Sequence, residues 1–177
     1  MKCNSLRPFW AFVLSAAAAV ALAVLPRMAR ADEGSGWLAR TMGDGYLRVA
    51  VSPFSLHFRY SAEHRYVWAA GAEWQRSDDW LAGASYFRNS FGQPSAYVYV
   101  GKRWTNLIGQ PSLFAQLSGG MLYGYRGKYE DKVPLNNNGF SPGALASLGW
   151  HVNKQFAVTG HMLGDAGLMI QLSYDLR

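Results

Sequence analysis

The sequence LMIQLSYDL, residues 168–176, alternates between strongly apolar side chains and a second set that is mainly polar. Successive side chains of a β-strand point to opposite faces, so this period predicts a strand with two unlike faces. One face consists of Leu168, Ile170, Leu172, Tyr174 and Leu176, and the other of Met169, Gln171, Ser173 and Asp175. The end of the chain is therefore expected to lie between a lipid-like and a polar environment.

The same pattern recurs upstream, where turn-forming clusters separate stretches of similar length. Most stretches have about the length of a tilted strand that crosses a bilayer. The turns at 75–79 and 153–154 are short and the connection 126–138 is long, as in outer-membrane barrels with short periplasmic turns and longer external loops. These features predict an all-β fold, an eight-stranded antiparallel transmembrane β-barrel. The strands are expected at 46–60, 65–74, 80–88, 96–104, 112–125, 144–152, 155–163 and 168–176.

A water-soluble barrel of the lipocalin kind shows the same alternation, with its apolar residues inside. Aromatic residues near both ends of the strands, such as Tyr66, Trp68 and Trp74 on one face of the second strand, favour the membrane version. A secretory leader also favours it. The sequence therefore indicates the bacterial outer membrane as the location.

Residues 1–31 have the features of a cleaved signal peptide. Lys2 and Arg7 precede an apolar run at 9–25, and Ala29-Arg30-Ala31 forms a small-residue cleavage site. An uncleaved anchor is the alternative, which the helix-breaking Pro26 disfavours. The domains predicted are the signal peptide 1–31, a periplasmic lead 32–45 and the barrel 46–177.

Charge and cysteine content exclude several functional classes. Removing the four leader cations from the 17 basic residues leaves 13 against 11 acidic residues, a net charge of +2 that gives a nucleic-acid partner little support. The only cysteine, Cys3, lies in the leader, so disulfides, thiolate metal sites and a cysteine nucleophile are not expected. No metal site or cofactor is indicated. A closed barrel has no free strand edge, and a monomer is expected.

The first strand changes phase at Pro53. Before it Leu47, Val49 and Val51 occupy the apolar positions, and after it the apolar set is shifted by one residue. Proline removes a ladder donor, and a slip of one residue is what a β-bulge produces. Either the bulge leaves a gap through which a lipid passes, or it is an irregularity without a role.

Two chemistry-bearing residues are predicted to meet at the outer rim. His57 lies near the outer end of the first strand, on the polar face, and Ser90 lies in the second external connection. A serine needs a base such as imidazole within reach to act as a nucleophile. His161, on the seventh strand near the same rim, is a competing base, whereas His64 and His151 are expected to be ordinary polar surface residues.

Several motifs resemble the outer-membrane lipid A palmitoyltransferases, the PagP family. Leu56-His57-Phe58-Arg59-Tyr60 resembles that family's Trp-His-Ala-Arg-Phe segment, and the residues from Tyr86 to Phe91 are similar to its Phe-Lys-Asp-Ser-Trp. Gly101 matches the family's glycine at the bottom of the acyl-chain pocket, and Pro142 to Gly149 is similar to its Leu-Pro-Leu-Ala-Ser-Val-Gly-Tyr-Gly stretch. The resemblance covers about 57–152.

This resemblance implies an outer-membrane acyltransferase that moves a palmitoyl-like chain from a phospholipid donor onto lipid A of lipopolysaccharide. His57 would be the base and Ser90 the nucleophile or its functional equivalent. Asn89 stands where the family has Asp, and an amide cannot stabilise an imidazolium by charge. Gly101 would set the pocket depth, unless it only eases barrel curvature. Tyr97, Tyr99 and Arg103 are expected to share its inner face.

Two other functions stay open. One is a non-catalytic outer-membrane barrel of the adhesin, structural or phage-exclusion type. The other is a lipid A deacylase, because 160–168 faintly resembles those enzymes, although Leu163 replaces their serine. Arg126, Lys128 and Lys132 of the long polar connection could contact lipopolysaccharide phosphates, or the connection is simply a solvated loop.

Overall fold

The computed structural model describes residues 41–177, so the predicted signal peptide and most of the predicted lead lie outside the described residues. Within the described part, antiparallel strands pair in chain order and the last closes on the first. The prediction of an all-β, eight-stranded antiparallel barrel is confirmed. The strands are β1 Gly45–His57, β2 Trp68–Arg76, β3 Trp80–Arg88, β4 Pro94–Leu107, β5 Gln110–Tyr123, β6 Phe140–His151, β7 Phe156–Met162 and β8 Gly167–Leu176.

Each strand presents alternate residues to the barrel interior, as the period-two pattern predicts. In β8 Ser173 and Asp175 are buried inside, while Leu172 and Leu176 are exposed outside. In β4 Tyr97, Tyr99, Gly101 and Arg103 face inward, and Val98, Val100 and Lys102 face outward, in agreement with the expected faces. Lys102 lies over the Trp80 ring, 5.6 Å from its centroid.

The two ends of the barrel differ in their connections. At the terminal end, where β1 begins and β8 ends, short turns join β2 to β3, β4 to β5 and β6 to β7. At the opposite loop end, the longest connection is 124–139 and contains a 3₁₀ helix, Gly127–Lys132. The first loop-end connection, expected to be only 61–64, runs from 58 to 67, because β1 ends at His57 and β2 begins at Trp68.

The phase change at Pro53 corresponds to a real irregularity. The register of β1 against β8 shifts between Val51 and Phe54. Arg48 and Ser52 point inward before the shift, and Ser55 points inward after it. The inward positions therefore change by one residue in parity at the shift. A bulge thus explains how one strand carries two patterns of opposite phase.

Charged and polar side chains fill the interior near the terminal end and form a polar plug. Arg48 donates two hydrogen bonds to Asp175, from Nε to Oδ1 at 2.5 Å and from Nη2 to Oδ2 at 3.0 Å. Arg103 donates to Glu73 at 2.9 Å and to Gln116 at 2.5 Å, and Gln116 donates to Glu73 at 3.1 Å. These five residues are at most 6% exposed, so the plug seals this end of the lumen.

The outer surface carries exposed apolar side chains in a band between two aromatic groups. The band includes Val49, Val51, Val98, Val100, Leu117, Leu148, Val158 and Leu172. Exposed aromatics near the terminal end are Trp80, Trp104, Trp150 and Phe156, and those near the loop end are Tyr66, Tyr86 and Phe140. Among residues 41–177, no helix has both the length and the hydropathy needed to cross a membrane.

Candidate functional site

A cavity of about 430 Å³ occupies the lumen between the polar plug and the loop end. Its size is within the usual range for sites that bind small molecules. Small or apolar residues form most of its wall, including Ala50, Ala69, Gly71, Leu145 and Met169. The combination of an apolar wall and a polar floor fits an elongated, largely hydrocarbon ligand.

Two gaps in the strand ladder flank this cavity near the loop end. Within the described residues, pairing between β1 and β2 stops at Ser52 and Ala69, next to Pro53. Beyond this point the wall is held by a hydrogen bond from the Tyr66 hydroxyl to the Pro53 carbonyl. The first gap is therefore at the bulge that the sequence predicts.

The second gap lies between β6 and β7. Pairing of these strands reaches only Ala146 and Met162, because β7 is shorter than β6. The part of β6 left without a β7 partner contains Pro142, which has no backbone donor. Pro142, Gly143 and Leu145 also line the cavity. The sequence analysis missed this gap because it began the sixth strand at residue 144, whereas β6 begins at Phe140 and so contains Pro142.

His57 lines the cavity at the loop end, at the end of β1. Its ring packs against His64, with centroids 4.2 Å apart, and His64 meets the edge of Phe91 at 5.8 Å. Phe91 in turn stacks on Tyr129 at 4.2 Å. The expectation that His64 is an ordinary surface residue is wrong, because the 58–67 connection folds back onto the rim. An aromatic cluster thus fixes the imidazole of His57.

Ser90 lines the same end of the cavity, so the structure brings it into one site with His57. Its side chain lies beside the Tyr125 hydroxyl, and its backbone carbonyl accepts a hydrogen bond from the Arg65 amide at 2.7 Å. Burial raises the pKa of the Tyr125 phenol, and the neighbouring Ser90 side chain acts in the opposite direction. Within the described residues no hydrogen bond joins Ser90 to His57. Tyr125, expected at the end of a strand, lies in the connection after β5.

Asn89 is buried and holds the β3–β4 turn together. Its side-chain oxygen accepts the backbone amides of Phe91 and Gln93, both at 3.0 Å, and its nitrogen donates to Ser95 at 3.1 Å. The side chain makes no hydrogen bond to His57 within the part of the chain described. Asn89 therefore shapes the loop that presents Ser90, and it does not orient the imidazole in this structure.

The residues expected in the pocket divide into two groups. Tyr97 and Tyr99 line the cavity, and their rings stack with centroids 4.9 Å apart. The Tyr99 hydroxyl donates to Glu73 at 3.2 Å, which links the floor to the polar plug. Gly101 faces the lumen as expected but is not among the residues that line the cavity. An added Cβ there would lie 2.5 Å from the Leu117 backbone oxygen and 3.0 Å from the Leu81 side chain, so its neighbours already fill this space.

The basic residues of the long connection lie at the loop end. The backbone of Arg126 exchanges two hydrogen bonds with the Gln93 side chain, at 2.9 and 3.0 Å. Lys128 is exposed and forms an ion pair with Glu63 at 3.3 Å. Lys132 lines the cavity. These contacts tie three loop-end connections together, and the side chains of Arg126 and Lys128 are both exposed.

His161 and His151 both point into the barrel. His161 is 6% exposed and hydrogen-bonds through Nδ1 to the Ser147 hydroxyl at 2.7 Å. His151, expected at the surface, packs on Phe114 with centroids 4.8 Å apart, because its position on β6 has inward parity. The sequence analysis did not identify Ser147 as a site residue. Its only signal was its position on the inward face of β6, which it shares with Gly149.

No family model matches the chain, and no curated protein matches it either. The site offers an imidazole, a hydroxyl pair and exposed cations around the opening of an apolar cavity, beside two breaks in the barrel wall. Such a site can hold a hydrocarbon chain below and a polar, reactive group above. The described residues thus supply a candidate base and hydrogen-bond donors beside the cavity.

Proposed function

We propose that this protein is a bacterial outer-membrane acyltransferase that moves an acyl chain from a phospholipid to lipid A. The observation that carries the proposal is the apolar cavity of about 430 Å³ that opens beside His57 and Ser90 and lies between two ladder gaps. A chain can leave the surrounding lipid sideways through a gap, without crossing the polar loop end. The resemblance of the His57 and Ser90 segments to lipid A palmitoyltransferases points the same way.

The apolar outer band supports a membrane position for the barrel. Its exposed side chains would be costly in water but match the hydrocarbon core of a bilayer, and the aromatic residues at both ends suit the two interfaces. The long loop-end connections would then face outward. His57 and Ser90 would lie at the level of the outer leaflet, where lipid A is found.

In the proposed reaction His57 acts as the base. A hydroxyl of lipid A loses its proton to His57 and attacks the ester carbonyl of the phospholipid. The bond from the carbonyl carbon to the glycerol oxygen then breaks, and the proton passes from His57 to that oxygen. The lysophospholipid and acylated lipid A leave. Ser90 and Tyr125 donate hydrogen bonds to the oxygen that becomes negatively charged during the attack.

This assignment gives Ser90 a stabilising role in place of a nucleophilic one. The reason is that the Ser90 hydroxyl lies beside Tyr125 and makes no hydrogen bond to His57 among the described residues. Arg126 and Lys128 would bind lipid A phosphates, because both side chains are exposed at the loop end. Lipid A and the phospholipid are the only partners that the proposal requires.

The lipid A mass spectrum of cells that express the protein tests the proposal. Wild type should add one acyl chain, whereas His57→Ala should lower the transfer roughly 100- to 10,000-fold, the usual contribution of a general base. His151→Ala is the matched control, since His151 lies inside the barrel but does not line the cavity. Loss of a chain in wild-type cells would instead indicate a deacylase, and an unchanged spectrum would contradict acyl transfer.

A lipid-binding barrel without catalysis is the second candidate. The specific observation in its favour is that Asn89, Ser90 and His57 each have partners other than one another. Such a barrel would bind an acyl chain in the same cavity. Cells would then show no change in lipid A, although the purified protein would still bind the chain.

A further inference from the structure

The buried pair Ser147–His161 leaves one ring nitrogen without a partner at the cavity. The Ser147 hydroxyl and His161 Nδ1 are 2.7 Å apart, and His161 lines the cavity wall. Among the described residues no group hydrogen-bonds to His161 Nε2, although this atom is buried. Gln171 of β8 lies beside the ring and also lines the cavity, but its amide does not complete a hydrogen bond with Nε2.

We propose that His161 Nε2, with the Gln171 amide, binds a hydroxyl group on the acyl chain, so that the cavity selects a hydroxylated chain. The inference rests on the proposed function, because it assumes that an acyl chain occupies the cavity. The proposed contact would be a polar one in the middle of an otherwise apolar wall. The substrate class is thereby narrowed from acyl chains in general to chains that carry an oxygen along their length.

The position of His161 within the ladder places this contact between the mouth of the cavity and the polar plug. Directly paired residues form a row around the wall, and rows run obliquely because the strands of a barrel are tilted. The row through His161 begins two residues from His57 on β1 and ends in the polar plug. In order it contains Ser55, Met169, His161, Ser147, Gln116 and Arg103.

The chemistry of the pair favours a hydroxyl over other groups. If the Ser147 hydroxyl donates to Nδ1, then Nε2 carries the ring hydrogen and is a donor. If the hydroxyl accepts a hydrogen bond from Nδ1, then Nε2 is an acceptor. A hydroxyl both donates and accepts, so it satisfies either tautomer, and its second site can pair with Gln171. A methylene group would leave the nitrogen unpaired, and a carboxylate would bring an uncompensated charge into an apolar wall.

Binding of paired ligands to the purified full-length barrel in detergent tests the proposal. The ligands are palmitic acid and a series of hydroxypalmitic acids with the hydroxyl at successive positions, each displacing a fluorescent fatty acid. At one hydroxyl position, wild type should bind roughly 5- to 100-fold more tightly than it binds palmitic acid, the usual effect of satisfying a buried polar group. His161→Phe should remove the preference, because phenylalanine keeps a ring without nitrogen.

His151→Phe is the matched control, since it makes the same change at an inward histidine that does not line the cavity, and it should keep the preference. Equal binding of all chains by wild type would overturn the inference and leave the proposed function standing. It would mean that water or Gln171 satisfies the nitrogen. Failure of wild type to bind any chain would instead contradict the proposed function itself. The wild-type comparison is decisive even if His161→Phe does not fold.

Discussion

The polar plug allows a quantitative test of how the lumen is closed. Arg48 and Asp175 are 2% and 0% exposed, and both oxygens of the carboxylate accept hydrogen bonds from the guanidinium. Asp175→Asn leaves Arg48 with Glu73 as its nearest carboxylate, at 3.9 Å. Among the described residues, Arg48→Met leaves Asp175 with only the half-exposed Arg177 as a cation partner, at 3.0 Å. Each single variant therefore contains a buried charge that has lost its main partner.

Breaking a buried ion pair from one side costs about 3–5 kcal/mol, and each single substitution should lower the free energy of unfolding by about that amount. Independent effects would then sum to about 6–10 kcal/mol in the double variant. We expect the double variant Arg48→Met/Asp175→Asn to lose only about 3 kcal/mol or less, because it removes both charges together. The remaining Glu73 and Arg103 still balance each other at 2.9 Å.

Urea unfolding of the barrel in lipid vesicles, followed by tryptophan fluorescence, measures these differences. The matched control is Arg76→Met/Asp78→Asn, a solvent-accessible bidentate pair between the end of β2 and the turn that follows it. We expect only a small loss there, because solvent screens both charges. Single plug variants that cost less than about 1 kcal/mol would refute the reasoning, since buried charges would then tolerate isolation. A double variant that equals the sum of the singles would also refute it.

Two further predictions concern the turn and the cavity. Asn89→Ala should lower the free energy of unfolding by about 1–3 kcal/mol, because the half-buried amides of Phe91 and Gln93 lose their acceptor. Asn89→Asp keeps the acceptor and should cost less in the same urea assay. Ala50→Leu adds an isopropyl group inside the cavity and should weaken palmitic acid binding by about 2 kcal/mol, as measured by ligand displacement. Val51→Leu, on the outer face, should leave this binding unchanged.

The barrel itself could be predicted from the sequence because a strand has a period of two. Once the turns divide the chain, alternation assigns each residue of a strand to one face, as for Asp175 and Leu176. The same rule located the bulge at Pro53, where the apolar pattern slips by one residue. Errors were confined to strand ends such as His57 and Tyr123, where local pattern gives way to loop packing.

The candidate site depended on information that alternation does not contain. Parity shows that Ser147, His161 and Gly101 point inward, but the stagger and tilt of neighbouring strands decide which inward residues meet. The closed register pairs Ser147 with His161 and leaves Gly101 outside the cavity lining. The ten residues of the 58–67 connection lie outside the strands, and this connection packs His64 against His57. The sequence by itself determined which face of its strand each side chain occupies. Only the tertiary structure decided how far along the lumen an inward side chain lies and which residues it contacts. The reason is that the shear of a barrel is a property of all its strands together.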